Sequence, residues 1–352
     1  MGRRCGRRRA NDESRGPDGR GDSPGINAAL RSIVRFGNKQ GVDVVGFEEG
    51  WKGPVENLVR PLTQVDVSGI LHIGGTILSS SRTNPFRMNG GPEKVMETLA
   101  VNAVDFLIAI GGDDTLGVAH RLAECDVKAI GIPQTIDNDI AMTDYTLGFS
   151  SALDAITDAL DRLHTTAASH HRVLILEVMG RDAGWLSLMG GVAGGADVIL
   201  IPEQRFNVDS IFRKIKRREH LKKRFSIVII AEGAEPEGTE GQVVAEAEVD
   251  AFGHARLGGV GQYVANQLSE RMQIPVRVTN LAYLQRGGSP SPFDRILATR
   301  FGAASIEFAL DGQFDVMTAI HGTKIVPVPL GDALAAARPV DEGLLYLVNL
   351  FE

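Results

Sequence analysis

The sequence predicts a two-lobed α/β protein with mainly parallel sheets, and three observations lead there. Short apolar runs alternate with amphipathic stretches along most of the chain, the rhythm of strand–helix–strand units joined by right-handed crossovers. Two of these runs, residues 106–110 (FLIAI) and 127–132 (VKAIGI), end in glycine- and aspartate-rich turns about twenty residues apart, as buried parallel strands do. A length of 352 residues buries a large core and normally divides into two domains. The 41 glycines suit the many turns such a fold needs.

Taken in order, residues 24–36 form a helix with Pro near its start and Ile26, Leu30, Ile33 and Val34 on one side. Residues 42–46 form a strand. A helix at 92–100 feeds the strand at 106–110, and a helix at 115–124 follows it. A long helix at 150–165 carries the chain into the second lobe. That lobe has strands at 173–178, 198–201, 226–231 and 276–279, with helices at 183–192, 208–216 and 260–271. The loop 235–241, rich in Gly, Pro and Glu, is exposed. A helix at 292–310 returns to the first lobe. The boundaries expected are 21–147 plus about 285–312 for the first lobe, and 148–284 plus about 313–352 for the second.

The two turns carry the chemistry. They read Gly111-Gly112-Asp113-Asp114-Thr115 and Pro133-Gln134-Thr135-Ile136-Asp137-Asn138-Asp139. In an open α/β sheet, ligands bind at the carboxyl ends of strands, so both turns face one cleft. Glycines let the backbone approach phosphate oxygens, and Asp113, Asp137 and Asp139 are placed to hold Mg²⁺ or accept a proton. The first turn alone also fits a sheet edge with solvated carboxylates. Carboxylates at i and i+2, two residues after a Thr hydroxyl, are costly to gather without a cation or substrate proton. Phosphoryl transfer is the implied reaction class.

With these turns, the sequence resembles the phosphofructokinase family. The resemblance extends to Gly21–Ala28 (GDSPGINA), Ser81–Phe86 (SRTNPF), Glu177–Arg181 (EVMGR) and Gln285–Pro290 (QRGGSP), in order and spacing, from about Gly21 to Phe301. It implies two Rossmann-like lobes and transfer of a phosphoryl group to the 1-hydroxyl of fructose 6-phosphate. By the same resemblance, Asp137 is the general base, Arg82 stabilises transition-state charge, and Thr135 hydrogen-bonds the transferring group. Asp113 and Asp139 hold Mg²⁺. Gly21, Gly112, Asp114, Thr115 and Gln134 contact the donor. Met179, Gly180, Arg181, Glu232, Tyr283 and Arg286 line the sugar site, with Tyr283 where many ATP-using relatives have His. Arg172 and Arg277 reach the sugar phosphate from a neighbouring subunit, which implies a homodimer or homotetramer with shared sites.

The donor follows from two positions. ATP-using members typically have glycine where Asp114 and Gln134 stand, and pyrophosphate-using members typically have Asp and Lys. A carboxylate at Asp114 occupies the place of a nucleotide α-phosphate and repels it, by roughly 4 kcal/mol at 4 Å and an effective dielectric near 20. Pyrophosphate is therefore the expected donor, with ATP as the alternative because some relatives keep an acidic residue there and use ATP. Gln134 fits neither pattern.

The first twenty residues, MGRRCGRRRANDESRGPDGR, hold seven arginines and no two adjacent apolar residues. Family members begin instead with an apolar strand, so the first strand of the N-terminal lobe is expected to be missing and residues 1–20 to be a disordered basic segment. Arg20 stands where the family has the first glycine of its phosphate turn. A shifted frame or start upstream of Gly21 accounts for the sharp boundary, and a catalytically weak member that only binds sugar phosphate is the second alternative.

Composition excludes other classes. A net charge of −7 speaks against nucleic acid. No apolar run is long enough to cross a bilayer, and no secretory apolar segment follows the N-terminal arginines. Two cysteines, Cys5 and Cys125, are too few for a disulfide framework, so the cytoplasm is expected.

Overall fold

A computed structural model describes residues 23–238, 244–249, 255–257, 259–272 and 274–349. The segment 1–20, with the strand expected to be missing from it, lies outside the described residues, as does Gly21. The chain enters α1 (Ile26–Lys39) through Gly25 at φ 118°, a left-handed turn that glycine adopts without strain. A ribbon follows: β1 (Val44–Phe47), the short α2 (Lys52–Glu56) and β2 (Val59–Leu62), with β1 and β2 antiparallel. Helix α3 (Gly91–Val101) then leads into β3 (Leu107–Gly111), α4 (Asp113–Ala123), β4 (Ala129–Thr135), β5 (Leu147–Gly148) and the long α5 (Phe149–His170).

The second lobe contains β6 (Val173–Val178), α6 (Trp185–Ala193), β7 (Val198–Leu200), α7 (Val208–His220), β8 (Ser226–Ala231), an antiparallel pair β9 (Val244–Val249) and β10 (Ala255–Leu257), α8 (Val260–Ser269) and β11 (Val276–Asn280). Its four-stranded sheet runs β11-β6-β8-β7, every pair parallel. All residues of β6, β7 and β8 are buried, as expected of strands covered on both faces. Helix α9 (Pro292–Leu310) returns the chain, and β12 (Val316–His321), β13 (Lys324–Pro329) and α10 (Leu330–Ala333) follow.

The first lobe's sheet has the order β13-β12-β4-β3, with β5 also paired to β4. Pairs β3–β4, β4–β12 and β4–β5 are parallel, whereas β13 is antiparallel to β12. This corrects the expected boundary at about residue 313: residues 316–329 complete the first lobe's sheet rather than the second's. The C-terminal stretch does join the second lobe, where Val340, Leu344 and Leu347 pack with Trp185 and Leu186. Among the described residues no helix is long and apolar enough to cross a membrane.

The lobes are tied together where α5 leaves and α9 returns. Asp294, in the first turn of α9, is fully buried. Its carboxylate accepts hydrogen bonds from Gly148 N at 3.1 Å, Ser151 N at 2.8 Å and Ser151 Oγ at 2.5 Å. Ser291 caps α9 by accepting from Asp294 N and itself donates from its backbone to Ser151 Oγ. Burial pushes the Asp294 carboxyl above its usual range, opposed by these hydrogen bonds. Its raised value means a stability contribution that is fully present below the ordinary carboxylate pKa and lost as pH rises through the folded value.

Replacing Asp294 by Ala should leave buried donors unmatched and cost about 1–3 kcal/mol or more, read from urea midpoints. Asp294→Asn should remove its share of the stability loss between the ordinary carboxylate pKa near 4 and the raised value; an unaltered pH profile would contradict that assignment.

Candidate active site

Strands β3 and β4 lie side by side, with Gly111 paired to Pro133, so both carboxyl ends open on the same edge. At the end of β3, Gly112 precedes α4, and Asp113 and Asp114 occupy the first helical turn. Backbone N–H groups at such a terminus attract anions. A Cβ on Gly112 would lie 3.7 Å from Gln134 O and 4.0 Å from Thr135 Cβ, which places the two turns in contact. Arg82, Gly112, Asp113, Asp114 and Thr115 all line one cavity of about 660 Å³. Arg82 and Asp113 are exposed, while Asp114 and Thr115 are half-buried.

The loop after β4 is held from within. Thr135 Oγ1 accepts a hydrogen bond from Asp137 N at 3.2 Å, and Thr135 O accepts from Thr146 Oγ1 at 2.6 Å. Asn138 adopts a left-handed conformation at φ 54°, and its Oδ1 accepts from Thr146 N at 2.9 Å. Asp137 is buried and Asp139 half-buried. Arg338 braces the loop from outside: its backbone N–H donates to Asp139 O, and its Nη1 donates to the carbonyls of Thr143 and Asp144. The guanidinium lies 4.6 Å from the Trp185 ring centroid.

On the second lobe, the turn after β6 carries Met179, Gly180 and Arg181, and the turn after β8 carries Glu232. Gly180 has φ 130°. Glu232 N donates to Val178 O, and Gly233 N donates to Gly180 O. A Cβ on Gly233 would sit 1.9 Å from Arg181 O, so that glycine permits the two turns to touch. The lobes meet through Ile136, which packs in one cluster with Val178 and Ala183. Within the first lobe, Gly74 backs onto Gly288, whose carbonyl would be 2.0 Å from a Cβ on Gly74. Arg286 lies two residues from that contact, and its guanidinium is 5.8 Å from the ring centroid of the exposed Tyr283.

The structure therefore brings together Arg82 with the donor turn, Thr135, Asp137 and Asp139 beside it, and Met179, Gly180, Arg181 and Glu232 across the lobe junction. Arg172 and Arg277 stand apart. Arg172 precedes β6, and Arg277 is the second residue of β11, paired to Leu174; both lie at the opposite strand ends from Arg181. Gln134, expected as a donor contact, lies in β4 beside Thr135. It is fully buried, and its Nε2 donates to Ser23 Oγ at 2.6 Å, while Ser23 Oγ donates to Leu147 O at 3.2 Å. Gln134 fastens the chain entering α1 to the strand that leads into the Asp137 loop.

Three positioning residues escape sequence reasoning. Asn27 donates to Ile73 O and Gly74 O and accepts from Ile77 N, fixing the segment that leads to Arg82. Glu177 accepts from Gly259 N, Gly261 N and Asn280 Nδ2. Gln285 accepts from Met179 N and donates to Ala282 O. Each belongs to a motif of the resemblance, but its role depends on contacts 46 to 106 residues away. Among the described residues no three His, Cys, Asp or Glu side chains cluster to hold a metal. Mg²⁺ needs no such cage, since one or two carboxylates, waters and substrate phosphates suffice. Asp113 and Asp139, oxygen donors on adjacent turns, fit that requirement.

Gly233→Ala should be destabilising by about 1–3 kcal/mol, because Arg181 O must move. Gly117→Ala, inside α4 with nothing within 4 Å of the added Cβ, should be neutral or stabilising. Urea unfolding of both variants checks the pair.

Comparison with known proteins agrees with this arrangement. A family profile described as Phosphofructokinase matches residues 18–309. The chain is 51% identical over 324 residues to the pyrophosphate--fructose 6-phosphate 1-phosphotransferase of Amycolatopsis mediterranei, covering 92% of this chain and 94% of that protein. It is 43% identical over 323 residues to an ATP-dependent 6-phosphofructokinase of Corynebacterium efficiens, covering 91% and 93%. Its fold matches Pichia pastoris phosphofructokinase in the T-state with a TM-score of 0.79 and 32% identity, over 90% of this chain and 34% of that chain. It thus spans about a third of the length of that structure. The chain belongs to the phosphofructokinase family.

Proposed function

We propose that the protein transfers a phosphoryl group from pyrophosphate to the 1-hydroxyl of fructose 6-phosphate, the phosphofructokinase step of glycolysis, in the cytoplasm. The observation that carries this reading is the placement of Asp114 inside the cavity beside Arg82 and Gly112, next to the buried loop of Thr135 and Asp137. The names of relatives at 43–51% identity support it.

In this reading the sugar 1-hydroxyl oxygen attacks the terminal phosphorus of pyrophosphate. The phosphorus–oxygen bond to the leaving phosphate breaks, and the hydroxyl proton passes to Asp137. Asp137 is buried at the end of β4, where bulk water does not compete for the proton it takes. Arg82 places positive charge beside the transferring group, where charge is spread over three oxygens. Thr135 orients the same group. Mg²⁺, held by Asp113 and Asp139 when bound, supplies charge neutralisation on the phosphate oxygens.

Met179, Gly180, Arg181, Glu232, Tyr283 and Arg286 hold the sugar phosphate. Arg172 and Arg277 lie at the far strand ends, with β11 at the edge of its sheet, where a neighbouring copy can use them. A homodimer or homotetramer is part of the proposal. An ATP-dependent reading has one observation in its favour, the relatives of that name at 43–44% identity. Against it stands the Asp114 carboxylate, which crowds and repels a nucleotide α-phosphate.

Turnover assays with each donor separate these readings. The parent protein should prefer pyrophosphate, and Asp114→Gly should shift the ratio of kcat/KM values toward ATP. A parent that already prefers ATP would refute the Asp114 argument. Asp137→Asn should lower kcat by about 10²–10⁴-fold with little change in KM for fructose 6-phosphate. Near-parental turnover would remove Asp137 from the role of base.

A further inference from the structure

The stretch after α10, residues 337–341, touches both halves of the site. Toward the first lobe, Ala337 forms an antiparallel bridge with Ile140. The next residue, Arg338, makes three hydrogen bonds to the loop that carries Asp137. Its backbone N–H donates to Asp139 O at 2.7 Å, and its Nη1 donates to Thr143 O at 2.7 Å and Asp144 O at 2.9 Å. One planar nitrogen thus serves two successive carbonyls, a fork that a guanidinium presents ready-made. The other side of the loop is held by the end of β12, where Asp144 N donates to Ile320 O and Ile320 N donates to Thr143 Oγ1. Arg338 completes a clamp of which β12 is the opposite jaw.

Toward the second lobe, Arg338 O accepts from Trp185 Nε1 at 3.2 Å, and the guanidinium lies against the indole ring, a favourable cation–π pairing. Val340 is buried in one apolar cluster with Ile136 and Trp185. Its N–H donates to Glu203 Oε1 at 2.9 Å, and Glu203 also accepts from Gly184 N. Gly184 and Trp185 end the turn that begins with Met179 and Gly180. That turn is tight, since a Cβ on Gly180 would sit 2.8 Å from Ala183 O, so a shift of Trp185 is passed to the sugar-binding residues. The acidic partner of Arg338, Asp341, is exposed and 3.6 Å away. The main use of the guanidinium is therefore to hold loop carbonyls and an indole.

We propose, resting on the reading of Asp137 as the base, that Arg338 is a positioning residue for the transfer. It keeps the Asp137 loop in register with the sugar-binding turn, so that the two halves of the site move as one. A base must stand within hydrogen-bond reach of the proton it takes, and a misplacement of about 1 Å costs up to about 10²-fold in rate. Lysine is a partial substitute: its ammonium reaches a carbonyl but neither forks in a plane nor stacks flat on a ring.

The test measures kcat, KM and thermal midpoint of the full chain with whichever donor the parent turns over, so the choice of donor does not enter. Arg338→Met keeps the apolar stem of the side chain and removes its donors. Its kcat should fall by about 10–100-fold while KM for fructose 6-phosphate changes by less than about threefold. Arg338→Lys should recover part of the loss. A role confined to stability would lower the midpoint and leave kcat per folded molecule, counted by fructose 6-phosphate binding stoichiometry, at the parental value; that result would overturn the proposal. Adding Arg338→Met to Asp137→Asn should cost little further, because a base that is gone cannot be misplaced. Loss of the full single-variant factor in that background would also overturn it. Near-parental turnover of Asp137→Asn alone would overturn the reading of Asp137, and the proposal with it. If Arg338→Met fails to fold, Arg338→Lys and Trp185→Phe decide. Each should lower kcat at unchanged KM, and parental kcat in both would refute the coupling.

Discussion

The buried carboxylate of Asp294 is the contact on which the rest of the arrangement depends. It sits at the start of α9 and accepts three hydrogen bonds from the start of α5, the two helices that cross between the lobes. Burial disfavours its charge, and two helix N-termini offset part of that cost. The knot continues inward. A Cβ on Gly148 would lie 2.2 Å from Ser23 Oγ, Ser23 is bonded to Gln134, and Gln134 precedes Thr135 on β4. A single chain of close contacts thus runs from the lobe crossing to the entry of α1 and to the loop that carries Asp137. Displacing either helix terminus would displace the site.

The site is assembled more by close backbone approach than by ion pairs. Gly233 against Arg181 and Gly74 against Gly288 are two places where the absence of a side chain sets the distance between loops. The charged groups then ride on those loops. This division suits phosphoryl transfer, in which positioning and electrostatics carry most of the rate. It also explains the amides and carboxylates in the surrounding shell. Asn27 and Gln285 bond to backbone groups of the segments that lead to Arg82 and carry Met179, and Glu177 ties the end of β6 to the start of α8 and to β11.

Legibility in the sequence followed the range of the interaction. The strands at 106–110 and 127–132 were readable because their apolar runs and terminal glycines are local signals, and the structure places them as β3 and β4 with both turns on one edge. The helices α1, α4, α5 and α9 announce themselves by periodicity and by caps such as Ser291 and Pro292. The membership of residues 316–329 was not readable, since β12 finds β4 almost two hundred residues away and β13 turns back as an antiparallel edge. The hydrogen bond from Gln134 to Ser23, 111 residues earlier, was unreadable for a similar reason. Arg172 and Arg277 look like the other arginines in sequence and are separated from them only by which end of a strand they occupy.

The cavity along β3 bears on the donor turn through mechanics. Gly111 and Gly112 end a strand whose one side is held by β4 and whose other side faces the cavity. A strand paired on both edges resists twisting and displacement, because each movement must break two ladders. Among the described residues β3 pairs with β4 alone, and the position of Asp113 and Asp114 rests on that ladder and on the packing of α4. Among the described residues the turn after β3 is thus held by fewer ladders than the turns after β6 and β8, which end strands of a fully parallel sheet. Loosening at the edge of β3 should be felt in donor binding before it is felt in sugar binding.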